Sequence, residues 1–268
     1  MRHLFDDWEI ACARMAGAHL LVLLDFDGTL APIAPTPDEA ALPSATRCSL
    51  ARLAASPRCT VAVVSGRAID DLRAKVGLAG VAYVGSHGLE SADAPALPVY
   101  DPPRPVRELL ARLKERLGAR LAAVPGSLLE EKKASLAVHY RRVDPSEVAR
   151  VEEAVRGGVA ELDSGGALDV APGKMVLEIR PRVEWNKGTA VERLIRAEER
   201  RRSGAVFPLY VGDDATDEDG FRALAGRGLS VLVGERPDSS ASHFVADTEE
   251  VARMLRALAE RCGEPPDR

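Results

Sequence analysis

The 268-residue chain lacks any apolar run near the roughly 20 residues that span a bilayer, and its continuous stretch Leu20–Leu24 is of strand length. No membrane association is expected. The opening residues MRHLFDDWEI lack the basic-then-apolar pattern of a secretory signal, so a cytoplasmic location is expected. Cysteine is scarce: Cys12, Cys48, Cys59 and Cys262 form no CxxC pair and have no histidine cluster beside them. This argues against a disulfide framework and suits a reducing compartment. Basic residues are not in surplus either, with 36 Lys and Arg against 41 Asp and Glu and a formal charge of −5. A nucleic-acid partner would need a basic stripe, so none is expected. An anionic substrate must then be met by a few local positive groups. No internal repeat and no long apolar surface stripe is visible, so a monomer is expected. With 46% hydrophobic and 29% charged residues, the composition is that of a globular protein of one or two domains.

Short apolar runs alternate with longer amphipathic ones. Strands are expected at Leu20–Leu24, Thr60–Val64, Val81–Val84, Val206–Val211 and Leu229–Val233. Helices are expected at about 38–55, 67–76, 187–202, 216–226 and 248–262. Continuous apolar strands alternating with helices predict an α/β fold with a parallel sheet covered on both faces. The middle of the chain differs. The proline-rich Tyr100–Pro105 reads as a stiff linker. Helices at 105–118 and 145–162 then mix with the strictly alternating Ser135–Arg141 and Met175–Arg180, the mark of half-buried antiparallel strands. Residues 103–180 are therefore expected to be a small α+β domain, inserted into a core of residues 1–102 and 181–268. The run Glu198–Arg202 reads as a solvated helix end.

Two apolar strands end in acids. The first runs into Asp25-Phe26-Asp27-Gly28-Thr29-Leu30, the second into Gly212-Asp213-Asp214-Ala215-Thr216-Asp217-Glu218-Asp219. Carboxylates at the lip of a buried strand are costly unless compensated. In open α/β sheets the carboxyl ends of strands are also where ligands bind. Two such ends converging on one crevice make a divalent-metal site, and Mg²⁺ favours carboxylate and phosphate oxygens. Gly28 allows a sharp turn and close approach to a ligand. Capping of the following helix accounts for Asp217 and Glu218, but not for Asp213-Asp214. Two segments offset this negative charge: Ser65-Gly66-Arg67 at another strand end, and Lys187 within Asn186-Lys187-Gly188-Thr189 at a helix start.

Asp25-Phe26-Asp27-Gly28-Thr29, Ser65, Lys187 and Gly212-Asp213-Asp214 occur in the order of the four motifs of the haloacid dehalogenase-like (HAD) phosphatases, and the chain resembles that superfamily through nearly all of its core. The resemblance implies a Rossmann-like core with an inserted C2-type cap. It implies that Asp25 is a nucleophile forming an aspartyl-phosphate and that Asp27 is the general acid and base. Mg²⁺ would be held by the Asp25 carboxylate, the Asp27 carbonyl and Asp213, with Asp214 close by. Ser65 and Lys187 would bind the transferring phosphoryl group, beside Gly28, Thr29, Gly66 and Arg67. Asp217 would orient Lys187 or shape the metal shell.

A closer resemblance is to the trehalose-6-phosphate phosphatases. It is carried by Asp25–Ile33, Gly85-Ser86-His87-Gly88-Leu89-Glu90, Glu130, Lys132, His139-Tyr140-Arg141, Gly173-Lys174, Glu178, Asn186-Lys187-Gly188 and Gly212–Glu218. It implies that Glu130, Lys132 and Glu178 grip the distal glucose. His87, between two glycines at a strand end, is a candidate for substrate binding or an interdomain role, with loop packing as the alternative. Glu130 and Lys132 share a face if their stretch is extended; whether Glu130 or Glu131 meets the sugar stays open. His139 and Arg141 either support that site or cover the sheet. The expected substrate is a small sugar phosphate, trehalose 6-phosphate first. Sucrose, mannosylglycerate or glucosylglycerol phosphate are the alternatives, and a non-catalytic sugar-phosphate-binding module is the rival from outside enzymes.

Overall fold

The computed structural model describes residues 1–93, 100–183 and 185–263. The chain forms two compact units, Met1–Val99 with Trp185–Arg268, and Tyr100–Glu184. The first unit begins with β1 (Arg2–His3), α1 (Trp8–Met15), β2 (His19–Leu24), α2 (Ser44–Ala55), β3 (Cys59–Val64), α3 (Ile69–Val76), β4 (Val81–Gly85) and β5 (Glu90–Ala92). The second unit holds α4 (Arg104–Leu121), β6 (Leu128–Glu131), β7 (Leu136–His139), α5 (Val148–Leu162), β8 (Leu168–Gly173) and β9 (Val176–Pro181). The first unit resumes with α6 (Lys187–Arg201), β10 (Val206–Gly212), α7 (Asp217–Ala223), β11 (Leu229–Val233), β12 (His243–Val245) and α8 (Thr248–Gly263).

The eight strands of the first unit lie in the order β1-β12-β11-β10-β2-β3-β4-β5, parallel throughout except for β5. The alternation of side chains along β2 explains its unbroken apolar sequence. Leu20, Val22 and Leu24 join Val61, Val63, Leu209 and Val211 under α1, α2 and α8. Leu21 and Leu23 join Ala62, Val64 and Tyr210 under Val191, Leu194 and Ile195 of α6 and Phe221 of α7. β2 and β10 lie side by side at mid-sheet, and the order runs outward to β3 on one side and β11 on the other. That is a topological switch point, where the strands' carboxyl ends leave a crevice.

The second unit is a four-stranded antiparallel sheet, β6-β7-β9-β8. One of its faces is apolar: Leu136, Val138, Leu177 and Ile179 pack on Leu113, Leu117 and Leu121 of α4 and Val151 and Val155 of α5. The fold class is thus the expected one, a mostly parallel α/β sheet with a separate α+β unit.

Several local expectations change. The helix expected from residue 38 begins at Ser44, because Pro43 supplies its cap and a proline ring obstructs a preceding turn. The proline-rich stretch is in part a helix start, with Pro103 as cap and Pro105 in the first turn of α4. Met175 does not alternate with Leu177 and Ile179. It stands at φ +62° in the turn between β8 and β9 and is exposed. Glu198 is not solvated: it is buried and bonded by Thr60, Arg201 and Arg202, with His19 3.1 Å away. Among the described residues, no helix is long and apolar enough to cross a membrane.

Candidate active site

β2 delivers Asp25 and β10 delivers Asp213 to neighbouring positions, and the Asp25 N–H donates to Val211 O at 2.9 Å. Lys187 is the first residue of α6. A reciprocal capping box, in which the N–H of Thr189 donates to Asn186 Oδ1 and the N–H of Asn186 to Thr189 Oγ1 (each 2.9 Å), fixes that helix start. The Lys187 ammonium is 3% exposed and lies 2.8 Å from Asp25 Oδ1 and 2.7 Å from Asp217 Oδ1. Burial alone would lower its pKa. The Asp217 and Asp25 carboxylates outweigh burial and hold it well above the usual lysine range.

Asp217 is wholly buried and meets four donors. Lys187 Nζ and the Tyr210 hydroxyl (2.5 Å) bond Oδ1, while the N–H groups of Asp213 (3.0 Å) and Asp214 (2.9 Å) bond Oδ2. Burial opposes its charge, yet Lys187 and these hydrogen bonds keep its pKa below the usual carboxylate range. Asp25 goes the other way: burial, reinforced by Asp217 and Asp213 and only partly opposed by Lys187, pushes it well up. Tyr210 was not singled out in the sequence. Its signal is a phenol inside the otherwise apolar Val206–Val211 run, where a buried hydroxyl must find a partner.

The carboxyl oxygens of Asp25, Asp213 and Asp217 lie within 4.8 Å of one another, all three residues buried. Three carboxylates against one buried ammonium leave negative charge in excess. The donors are hard oxygens, the chemistry that suits Mg²⁺. Both Asp217 oxygens are already engaged, so Asp25 and Asp213 are the side chains suited to a cation. Gly28 stands at φ +80°, where a methyl would come within 1.9 Å of Asp213 Oδ2; the main chain there lies against that carboxylate. The residues fit a divalent cation.

Other expected site residues are placed as follows. The Asp27 carboxylate turns to Arg67, whose Nε and Nη2 reach its two oxygens at 2.6 and 2.7 Å. Arg67 also donates to Asp71 and Pro37 O, and its guanidinium lies over the Phe26 ring. Asp214 Oδ1 accepts from the N–H of Ala215, so this carboxylate caps its own turn and lies outside the three-acid group. Ser65 is buried at the end of β3, its Oγ accepting from the Arg67 N–H at 3.2 Å. Thr29 is buried, with no hydrogen bond to its hydroxyl among the described residues. The His87 ring stands against Gly66.

In the second unit, Glu130, Ala137, Glu178 and Ala171 stand in register across β6, β7, β9 and β8, on the face away from α4 and α5. Lys132 Nζ is 2.5 Å from Glu178 Oε1, and His139 Nε2 is 2.7 Å from Glu130 Oε2. Glu130, Lys132, His139 and Glu178 thus form one polar cluster. Burial raises the Glu130 pKa, but the His139 hydrogen bond and Lys132 bring it below the usual range. Glu131 points away and pairs with Lys114 of α4 at 2.6 Å. Arg141 donates to Lys174 O at 3.0 Å.

A switch-point crevice lined by acids and a buried lysine, with an α+β unit inserted in the chain, is the architecture of the haloacid dehalogenase-like hydrolases. One of these, from Bacteroides thetaiotaomicron, shares the fold at a TM-score of 0.62 and 16% identity, over 90% of this chain and 99% of that one. Within that class the chain belongs to the trehalose-phosphatase family, whose model matches residues 23–262. It is 36% identical over 259 residues to a probable trehalose-phosphate phosphatase 4 of Oryza sativa subsp. japonica, covering 94% of this chain and 69% of that protein. It is 39% identical over 255 residues to a trehalose-phosphate phosphatase of Mycolicibacterium paratuberculosis, covering 92% and 64%. The chain therefore spans about two thirds of the length of these curated relatives. The C-terminal domain of the C. albicans trehalose-6-phosphate phosphatase matches with a TM-score of 0.80 and 25% identity, over 94% of this chain and 96% of that one.

Proposed function

We propose that the chain hydrolyses trehalose 6-phosphate to trehalose and phosphate, using Mg²⁺ and an aspartyl-phosphate intermediate. The observation that carries this reading is the Lys187 ammonium held between Asp25 and Asp217 beside the Asp213 carboxylate. Asp25 attacks phosphorus, and the bond to the sugar oxygen breaks as Asp27, once it has left its pairing with Arg67 and taken up a proton, gives that proton to the oxygen. Asp27 then takes a proton from the water that cleaves the aspartyl-phosphate. Lys187 and Ser65 hold the phosphoryl oxygens, where catalysis is mainly positional and electrostatic. Gly28, Thr29, Gly66 and His87 line the phosphate's surroundings. Mg²⁺, when bound by Asp25, Asp213 and the Asp27 carbonyl, neutralises phosphate charge. Asp214 stays near this set as a turn cap.

Glu130, Lys132 and Glu178 serve the uncharged distal glucose, whose hydroxyls suit carboxylate acceptors and an ammonium donor. On this reading the enzyme works as a cytoplasmic monomer on a small sugar phosphate, with no nucleic-acid or membrane partner. The test is phosphate release from trehalose 6-phosphate, with Mg²⁺ and then with excess chelator. Release that stops with chelator is expected. Turnover of a generic aryl phosphate without release from trehalose 6-phosphate would move the assignment to another sugar phosphate. In the Glu130→Ala Lys132→Ala variant, trehalose 6-phosphate turnover should collapse while aryl phosphate turnover survives. An equal loss of both would refute the sugar-binding role.

A further inference from the structure

Ser86 and His87, just after β4, stand at φ +47° and +55°. Two consecutive residues with a Cβ in the left-handed region are a costly arrangement that persists only where surroundings enforce it. Glu90 holds the first of the two by its side chain. It is 2% exposed, accepts the Ser86 hydroxyl on Oε1 at 2.6 Å, and accepts the N–H of Ile69 on Oε2 at 3.3 Å.

The left-handed pair turns two backbone N–H groups onto the Ser65-Gly66-Arg67 loop. Ser86 donates to Arg67 O at 2.7 Å and His87 to Ser65 O at 3.0 Å. A methyl on Gly66 would lie 2.6 Å from the His87 ring, so ring and loop are in contact. The next residue, Gly88, packs on the start of α6. A methyl there would be 3.1 Å from Asn186 O and 3.2 Å from Ala190 Cβ. One short segment therefore touches both stretches that present positive or N–H groups to an anion: the Ser65 loop and the helix start that carries Lys187.

We propose that Glu90, acting through Ser86, is a positioning residue that sets the spacing between the Ser65 loop and Lys187, so that both grip one phosphoryl group. This rests on the phosphatase reading above. The test uses the full chain with Mg²⁺ and para-nitrophenyl phosphate, with inorganic phosphate as competitive inhibitor. Variants are Ser86→Ala, Ser86→Gly, Glu90→Gln and the Ser86→Gly Glu90→Gln double. Ser86→Ala and Glu90→Gln should each weaken phosphate binding about tenfold, with a matching fall in kcat/KM. Ser86→Gly should lose less than Ser86→Ala, because glycine accepts φ +47° without the hydrogen bond to Glu90. Adding Glu90→Gln to Ser86→Gly should then change little.

A purely structural Glu90 would lower Tm and leave phosphate affinity unchanged in the folded fraction, and that result overturns the proposal. So does a Ser86→Gly variant as impaired as Ser86→Ala. A parent chain that neither binds phosphate nor turns over the aryl ester would instead refute the phosphatase reading, and this proposal with it. If Glu90→Gln does not fold, the Ser86 pair decides alone.

Discussion

Asp217→Asn is the most informative single substitution in the core. The side chain is wholly buried and its two oxygens each accept two donors. Asparagine offers one oxygen and replaces the other with a donor. In one amide orientation its NH₂ faces the Lys187 ammonium and the Tyr210 hydroxyl; in the other it faces the N–H groups of Asp213 and Asp214. Either way two buried donors lose their acceptor, at about 1–3 kcal/mol each. Independently, breaking a buried ion pair at one partner costs about 3–5 kcal/mol. The two routes agree on about 3–5 kcal/mol. For a chain of this size that is a fall in Tm of roughly 10 °C. Tyr210→Phe is the control: it removes one donor and leaves the carboxylate its other three, so about 1 kcal/mol is expected. Thermal melts of both variants beside the parent give the comparison, and aryl phosphate turnover on the folded protein gives the second readout. Lys187, facing a neutral amide in place of the Asp217 carboxylate, should lose its aim, with turnover down about a hundredfold or more. A Tm within about 2 °C of the parent, with turnover retained, would refute the claim that Asp217 is the acceptor around which this site is built.

Other tests concern stability. The Glu198 pKa is brought from 4.5 to about 2: burial opposes the shift, and hydrogen bonds from Arg201, Arg202 and Thr60 outweigh it. That interval corresponds to at most about 3–4 kcal/mol; solvent around Arg201, which is 58% exposed, reduces the expectation to about 1–2 kcal/mol. Because the folded pKa is the lower one, this stability is fully present above about pH 4.5 and is lost as pH falls toward 2. Glu198→Gln should therefore melt below the parent at pH 7, with the gap narrowing in acid; a gap independent of pH would be the wrong sign for this mechanism. Mg²⁺ at a hundred times its dissociation constant should stabilise the parent by about 2.7 kcal/mol. Calorimetry should show the transition rise and chelator reverse it, and Asp213→Asn should lose most of the rise. An undiminished rise in that variant would remove Asp213 from the proposed metal site.

The sheet was legible because its signal is local. Leu20–Leu24 and Val206–Val211 are continuous apolar runs, and each ends in acids where β2 and β10 end. What stayed hidden depends on partners far along the chain. Glu198 sits in a charge run that reads as solvated, yet Thr60, 138 residues earlier, supplies a hydrogen bond that keeps it buried. β5 and β12, three residues each, are too short for a period to show. The strand periodicity of Met175–Arg180 fails at its first residue, where the turn takes φ +62°.

The acidic loop after β10 shows how position along the chain and role come apart. By spacing, Asp213 and Asp214 repeat Asp25 and Asp27, and Asp217 looks like an ordinary acid in the first turn of a helix. In the fold, α7 starts so close to the strand end that Asp217 turns back beneath it and collects the N–H groups of Asp213 and Asp214. Its remaining oxygen faces the buried Lys187, and Tyr210 on β10 closes the set. Asp214 is displaced to a turn cap. A capping preference worth about 0.3–1 kcal/mol could not have dictated this. The buried ammonium could: an uncompensated Lys187 costs several kcal/mol, and the acids within reach are Asp25 and Asp217. In the proposed mechanism Asp25 must also face a phosphorus atom as a nucleophile, so it cannot neutralise Lys187 alone. A second, fully satisfied carboxylate on the far side of the ammonium relieves that conflict, and Asp217 is the residue that provides it.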